Sequence, residues 1–276
     1  MLPSPDEWLR WGVEVIDELH AGKQSRVFDV VLDGRRAAVK LTESRLADRS
    51  VLVSRLEAVA SLGAGYPNVV PPIRIDGVLV QPIGGWLMTA TPFIEGNRLD
   101  VSSADGAKRL GGSLARLHEA LGRLESFQIP PIAALAATGR ATERSGWQLL
   151  HGDFSDRNVI VESALLRIFD FDDCGYGPIE YDLANSLYMV LFDSDIENHP
   201  DRYKAFRPAF LAGYANGSDW RTDESTIDEM IEIRIEALGR WIDDPSSAPI
   251  GIRTSSPEWL ETLTSFIRRR GSETCQ

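Results

Sequence analysis

Apolar and polar positions alternate in short runs over the first hundred residues, and turn residues separate the runs. Residues 26–32 and 35–41 flank Asp33-Gly34, a dipeptide typical of tight hairpin turns, so they predict an antiparallel hairpin. Residues 47–62 follow with apolar side chains at helical spacing, which predicts a helix. Further strands are predicted over residues 74–81 and 86–91.

The pattern changes from about residue 105 onward. Five leucines between residues 110 and 124 recur three or four positions apart, which predicts a helix over 105–124. Three later stretches, 203–215, 225–242 and 258–270, also favour helix. We therefore expect an α+β fold with an antiparallel-sheet N-terminal lobe and a mainly helical C-terminal lobe. The expected bounds are 1–88 for the N-terminal lobe, 89–96 for a hinge and 97–276 for the C-terminal lobe.

Charge is unevenly distributed along the chain. The net charge is −12, and residues 1–150 carry 17 acidic and 17 basic side chains, so the whole excess lies in residues 151–276. This balance argues against nucleic acid or an anionic membrane as a partner and permits a cationic ligand. No run approaches the ~20 apolar residues of a membrane span, and the two cysteines cannot form a disulfide framework. We expect a cytoplasmic protein.

The most informative segment is His151-Gly152-Asp153-Phe154-Ser155-Asp156-Arg157-Asn158, followed by Asp170 at the end of an apolar run. Phosphoryl transfer needs a carboxylate that accepts the proton of the acceptor hydroxyl, and oxygen ligands that hold Mg²⁺. Asp153 is the candidate base, and Asn158 and Asp170 are the candidate metal ligands. Because these ligands cannot fill the Mg²⁺ shell, the pattern implies a nucleotide, ATP or GTP, that supplies phosphate oxygens. The alternative is an Asx-rich turn between two strands.

Three segments resemble the aminoglycoside phosphotransferase and choline kinase family, which is related to the protein kinases. HGDFSDRNVIV is similar to the catalytic loop of that family, IFDFDDCGYGPIEYDLA to its metal-binding segment, and GSLARLHEAL to the helix before the loop. The resemblance implies a two-lobed protein-kinase-like fold and an enzyme that phosphorylates alcohol groups.

The resemblance also implies residues that bind the nucleotide. Ala38-Val39-Lys40 resembles the strand on which the lysine holds the α- and β-phosphates and the alanine lies against adenine. Strand alternation puts Ala38 and Lys40 on one face. The helical partner expected for Lys40 is Glu57, with Glu43 less favoured.

Other nucleotide contacts are expected in two places. The loop at residues 20–27 carries one glycine, with Ser25 expected against phosphate and Val27 over adenine, although an ordinary hairpin turn explains the same letters. Met88 is expected against adenine, and the Thr89 carbonyl and the Thr91 amide are expected to bind its edge.

Other polar residues have simpler interpretations. We predict that His118 is a packed histidine and that Asp182 is a helix N-cap. Asp172 and Asp173 could contact a metal, bind a cationic acceptor or order the loop.

The sequence thus predicts transfer of the γ-phosphate of MgATP or MgGTP to a hydroxylated small molecule. An aminoglycoside-like or other antibiotic is the first acceptor. A metabolite such as homoserine or choline, a protein hydroxyl in a stress-response kinase, and a non-catalytic nucleotide-binding scaffold are the alternatives.

Overall fold

A computed structural model describes residues 2–19, 25–45, 47–124, 126–140, 146–219, 224–246, 248, 252 and 255–273. The helices are α1 (Pro5–Arg10), α2 (Arg49–Gly65), α3 (Ala104–Leu121), α4 (Ala133–Ala137), α5 (Glu180–Ile196), α6 (Pro200–Asn216), α7 (Glu224–Asp243) and α8 (Pro257–Glu273). The strands are β1 (Val13–Leu19), β2 (Arg26–Leu32), β3 (Arg35–Glu43), β4 (Gln81–Ile83), β5 (Trp86–Pro92), β6 (Asn97–Arg98), β7 (Gln148–Leu150), β8 (Val159–Glu162), β9 (Leu165–Ile168) and β10 (Gly175–Gly177).

The N-terminal region is a five-stranded antiparallel sheet in the order β1-β2-β3-β5-β4. Strand alternation gives the sheet two different faces. Val39, Leu41 and Met88 pack into an apolar cluster on one face, whereas Leu87 packs beneath α2 on the other. The predicted hairpin over β2 and β3 is confirmed, since its strands pair from Arg26↔Leu41 onward.

The strand predicted over residues 74–81 is wrong. Asp76 and Gly77 have φ angles of +48° and +80°, and they form a tight turn in which Ile75 and Val78 exchange backbone hydrogen bonds. Only β4, at Gln81–Ile83, continues as a strand. A left-handed turn reverses the chain here, so one uninterrupted strand cannot form.

The remainder of the chain is mainly helical, as the sequence predicts. Helix α3 crosses α6 at two glycines, because a Cβ on Gly111 would lie 2.0 Å from the Phe210 carbonyl oxygen and one on Gly213 would lie 2.1 Å from that of Lys108. The helices surround the small β7–β10 and β6–β8–β9 sheets. None of the described helices is long and apolar enough to cross a membrane.

Candidate active site

The segment with the predicted catalytic motif, residues 151–158, is a loop between β7 and β8. Gly152 has a φ of +85°, and a Cβ there would lie 2.1 Å from the carbonyl oxygen of Asp173. Glycine is therefore required both by the left-handed backbone and by the close approach. The loop is fixed by Asp182, whose carboxylate accepts the backbone N–H groups of His151 and Gly152 at 2.9 and 2.8 Å.

Asp182 is a fully buried carboxylate in the first turn of α5. The predicted N-cap role is wrong, because α5 begins at Glu180 and the Asp182 side chain accepts from the loop rather than from its own helix. His118 Nε2 lies 3.1 Å from the same carboxylate, and the prediction of a packed histidine is confirmed by its burial. Burial raises the pKa of Asp182, but hydrogen bonds from His118 and Gly152 bring that pKa below its ordinary value.

Two asparagines orient Asp153, the candidate base. Asp153 Oδ2 accepts from Asn158 Nδ2 at 3.2 Å, and Oδ1 accepts from Asn185 Nδ2 at 3.2 Å. The Asp153 side chain is still 36% exposed, so an acceptor hydroxyl can reach it. The pKa of the Asp153 carboxyl lies above its ordinary value. Burial is the main cause and Asp170 adds to it, whereas Arg234 acts in the opposite direction.

A backbone hydrogen bond joins the segments that carry the two candidate metal ligands, Asn158 and Asp170. Asn158 donates to the Asp153 carbonyl at 2.8 Å, and its own carbonyl accepts from Phe169 N–H at 3.2 Å. Asp170 follows β9 with a φ of +64°. Residues other than glycine rarely adopt this left-handed region, and such conformations are concentrated at functional sites.

Lys40 extends from β3 to the segment that carries Asp170. Its Nζ lies 2.9 Å from Asp170 Oδ1 and 2.6 Å from Asp172 Oδ2. Burial lowers the pKa of Lys40, but the two carboxylates outweigh burial and raise that pKa above its ordinary value. Burial raises the pKa of Asp170, and Lys40 reverses this effect, so the pKa of Asp170 is lowered.

The predicted Lys40–Glu57 pair is wrong. Glu57 pairs with Arg74 Nη2 at 2.6 Å, and Lys40 pairs with Asp172. An α-helix turns about 100° per residue, which puts Glu57 roughly 140° from Leu52, one of the α2 residues that line the cleft. The polar α2 residue on the cleft side is Arg55, which donates to the Asp172 carbonyl.

A cavity of about 340 Å³ adjoins Lys40. Besides Lys40, four of the residues expected to contact the nucleotide line it: Val27, Ala38, Thr89 and Thr91. Lys40, Arg55, Asp170 and Asp172 form its polar end, and apolar side chains form most of the rest. A mostly apolar cleft with polar groups at one end suits a planar base joined to a charged phosphate chain.

Met88 is not a cavity residue, which corrects the expectation that it contacts adenine. It is fully buried among Val39 and Leu41. Thr89 lines the cavity, so strand alternation puts the neighbouring Met88 on the opposite face of β5.

The expected adenine-edge contacts also need revision. Thr89 and Thr91 are paired with Lys40 and Ala38 in the β3–β5 ladder, which continues to Pro92. The strand therefore includes the first four residues of the predicted hinge, and the cavity lining continues beyond it to Phe93 and Ile94. Phe93 N–H still donates to the carbonyl of Arg36 in β3 at 3.3 Å, so the chain leaves β3 at Ile94.

The loop at residues 20–27 is described only in part, because residues 20–24 lie outside the described residues. Ser25 is described, and its Oγ is buried with no partner in the described part of the chain. Ser25 is not among the cavity-lining residues. Its contact with phosphate stays a prediction.

Several polar residues at the site were not identified from the sequence. Asn185 donates to Asp153 and to the Phe154 carbonyl, and Arg234 of α7 lies 3.5 Å from Asp153. Helical spacing could have indicated Asn185, because Asp182 and Asn185 are three residues apart on one face of α5. No local pattern indicated Arg234, which is 81 residues from Asp153 in sequence.

Comparison with known proteins shows which family part of this chain resembles. Residues 132–225, about a third of the chain, match the family described as APH, the phosphotransferase enzyme family. The match includes the two segments that resemble the catalytic loop and the metal-binding segment of that family, so the family resemblance predicted from the sequence and the phosphotransferase class are confirmed. A search of the curated proteins finds no match.

Solved structures support the fold. An amicoumacin kinase in complex with AMP-PNP and Ca²⁺ aligns with a TM-score of 0.71 at 17% identity, over 98% of this chain and 90% of its own. A microcompartment-associated aminopropanol kinase aligns with a TM-score of 0.71 at 16% identity, over 95% and 93%. Choline kinase from Cryptosporidium parvum Iowa II gives 0.58 at 12% identity, over 95% and 90%. The predicted two-lobed, protein-kinase-like fold class is confirmed.

Proposed function

We propose that this protein transfers the γ-phosphoryl group of MgATP to a hydroxyl group of a small molecule. One observation carries the proposal: Lys40 reaches across the cleft to Asp170 at 2.9 Å, while Asn158 binds both the backbone and the side chain of Asp153. Lys40 and Asp170 line the polar end of one cavity, and Asp153 lies close enough to Asp170 for that carboxylate to raise its pKa. Each is of the type that phosphoryl transfer requires.

The cavity would hold the nucleotide. Val27 and Ala38 lie on the apolar walls where a base would stack, and Lys40 lies at the polar end where phosphates would extend. Lys40 carries a positive charge, and its two carboxylate partners keep it protonated. We propose ATP rather than GTP, since the amicoumacin kinase of similar fold was solved with the ATP analogue AMP-PNP.

Asn158 and Asp170 have the chemistry of a magnesium site. Mg²⁺ prefers amide and carboxylate oxygens, and the Asn158 amide nitrogen is already used on Asp153, which leaves the amide oxygen as the ligand atom. The described residues contain no cluster of three His, Cys, Asp or Glu side chains that could hold a metal. Phosphate oxygens and water would therefore complete the shell. The bound ion would neutralise charge on the phosphates.

Asp153 would position the acceptor hydroxyl and accept its proton. In the transfer, a bond forms between the acceptor oxygen and the γ-phosphorus, and the bond from that phosphorus to the bridging oxygen of ADP breaks. The hydroxyl proton passes to the Asp153 carboxylate, and ADP leaves with the electron pair of the broken bond. Asn158 and Asn185 keep the carboxylate in place, so alignment supplies much of the rate enhancement.

The acceptor proposed first is a hydroxylated antibiotic of the aminoglycoside or amicoumacin kind. The acidic excess of residues 151–276 favours an acceptor that carries amines. The second candidate is an amino alcohol of primary metabolism, because the aminopropanol kinase and the amicoumacin kinase align with the same TM-score.

A transfer assay tests the function directly. Purified protein, Mg²⁺ and ATP are incubated with aminoglycosides, amicoumacin, amino alcohols, choline, homoserine and a generic protein, and product masses are measured. We expect one small molecule to gain a phosphoryl group, and Asp170→Asn to abolish the gain. Labelling of protein alone, or ATP binding with no transfer to any acceptor, would contradict the proposal.

A further inference from the structure

A buried arginine lies beside the candidate base. Arg234, on α7, donates from Nη1 to the Tyr181 hydroxyl at 2.9 Å, and its Nη2 lies 3.5 Å from Asp153 Oδ1. The guanidinium lies over the Tyr188 ring, 5.0 Å from its centroid. The Arg234 side chain is only 16% exposed. A cation is thus buried within reach of the oxygen that would receive the acceptor proton.

Arg234 does not form a tight ion pair with Asp153. Tight arginine–carboxylate pairs are bidentate at ~2.7–2.9 Å, and Arg36 is an example among the described residues, with Nη2 and Nε 2.7 and 3.0 Å from the Asp29 carboxylate. Arg234 makes a single contact at 3.5 Å instead. Asp153, for its part, already accepts from two asparagines.

The guanidinium therefore has unused donors. Its Nη2, the nitrogen beside Asp153, makes only the one 3.5 Å contact among the described residues, and its buried Nε makes none. Burying a guanidinium costs free energy unless its N–H groups are satisfied, and oxygens that carry negative charge satisfy them best. An anionic oxygen that enters the site beside Asp153 would satisfy an N–H group of the Arg234 guanidinium.

We infer that Arg234 binds an anionic oxygen that lies beside Asp153 during the reaction. This inference rests on the proposed function. The oxygen has two possible sources with the same chemistry: the phosphoryl group in transfer, whose equatorial oxygens carry the negative charge, or a carboxylate of the acceptor. Arg234 is in either case a catalytic or specificity residue contributed by α7, and it lies beyond the family match, which ends at residue 225.

The test uses Arg234→Gln and Arg234→Lys, with Arg240→Gln as the matched control. Arg240 lies on the same helix, is half exposed and pairs with Glu236. Two rates are measured for each variant. The first is hydrolysis of MgATP, with water as the acceptor. The second is transfer to two acceptors that differ by a carboxylate, such as ethanolamine and serine, or the acceptor found in the transfer assay with and without a carboxylate. Melting temperature and MgATP affinity are measured alongside.

We expect Arg234→Gln to lose at least tenfold in rate with MgATP affinity within twofold of wild type, and Arg234→Lys to recover part of the loss. A loss in kcat shared by water and every acceptor assigns the oxygen to the phosphoryl group. A raised KM confined to carboxylate-bearing acceptors assigns it to the acceptor. Wild-type kinetics in both variants would overturn the inference while the proposed function stands. If wild-type protein binds MgATP and transfers to nothing, the proposed function fails and the inference fails with it.

Discussion

Asp172 Oδ2 lies 2.6 Å from the Nζ of Lys40 and replaces the helical glutamate that protein kinases use at this position. The partner of the lysine therefore comes from the same segment as the candidate metal ligand Asp170. Arg55 of α2 donates to the Asp172 carbonyl, so α2 contributes a cation to the cleft instead of an acid. The position of Lys40 depends on the segment after β9 rather than on the orientation of α2.

Removal of the Asp172 carboxylate should impair use of the nucleotide. We expect Asp172→Asn to lower kcat/KM for ATP about tenfold, because Lys40 then keeps only the Asp170 carboxylate as a charged partner and must be ordered further each time the phosphates bind. Glu57→Gln is the matched control, since Glu57 pairs with Arg74. Steady-state kinetics at varied ATP measure both. A large loss of kcat/KM for ATP in Glu57→Gln, with none in Asp172→Asn, would show that Glu57 and not Asp172 is the partner of Lys40.

Asp182 should be essential for the geometry of the catalytic loop. Asp182→Asn removes a buried charge that accepts two backbone N–H groups and contacts His118, so we expect a loss of about 3 kcal/mol in the free energy of unfolding. Chemical denaturation measures this loss, and Asp201→Asn, at an exposed aspartate, provides the control. A change below 0.5 kcal/mol would show that the loop does not depend on Asp182.

Asp173 predicts a pH-dependent stability. Burial, together with Asp153 and Asp172, raises the pKa of Asp173 to about 6. A carboxyl whose pKa is higher in the folded state than in the unfolded state destabilises the fold when it is ionised. For Asp173 this loss in the free energy of unfolding is fully present above pH 6. It disappears as the pH falls from 6 towards the unfolded pKa of about 4. Asp173→Asn should therefore raise the melting temperature of the nucleotide-free protein in EDTA at pH 7.5 and raise it much less at pH 4.5. An equal shift at both pH values would contradict this assignment.

Magnesium should couple to the nucleotide through Asp170. We expect ATP to bind wild-type protein about tenfold more tightly with Mg²⁺ than with EDTA, because Asn158 and Asp170 would hold the ion and its charge would offset that of the phosphates. In Asp170→Asn this ratio should fall below twofold. Calorimetric titration measures both affinities, and Asp156→Asn, in the same region and outside the cavity lining, is the control. Full coupling in Asp170→Asn would exclude that residue as a ligand.

Local spacing in the sequence was sufficient for much of the site. The five-residue interval from Asp153 to Asn158 closes a loop in which Asn158 binds Asp153. Strand alternation predicted that Ala38 and Lys40 share the face that lines the cavity. These relations depend on neighbours in the chain, which is why periodicity predicts them.

Sequence patterns could not predict the contacts that tertiary structure makes between residues far apart in the chain. Glu57 is an acid within an apolar helix, which favours it as the partner of Lys40. Its offset of roughly 140° from Leu52 nevertheless puts it away from the apolar face of α2. Arg234 comes to Asp153 only because α7 packs against α5. The strand predicted through Asp76-Gly77 failed because a left-handed turn took precedence over the strand pattern.

The central claim is that Asp153 receives the proton of the acceptor hydroxyl. The most direct measurement is single-turnover phosphoryl transfer by Asp153→Asn, with ATP affinity measured on the same sample and Asp156→Asn as the control. We expect the rate to fall at least about 100-fold, as for loss of a general base, with ATP affinity within twofold of wild type. Transfer within tenfold of the wild-type rate would contradict the account.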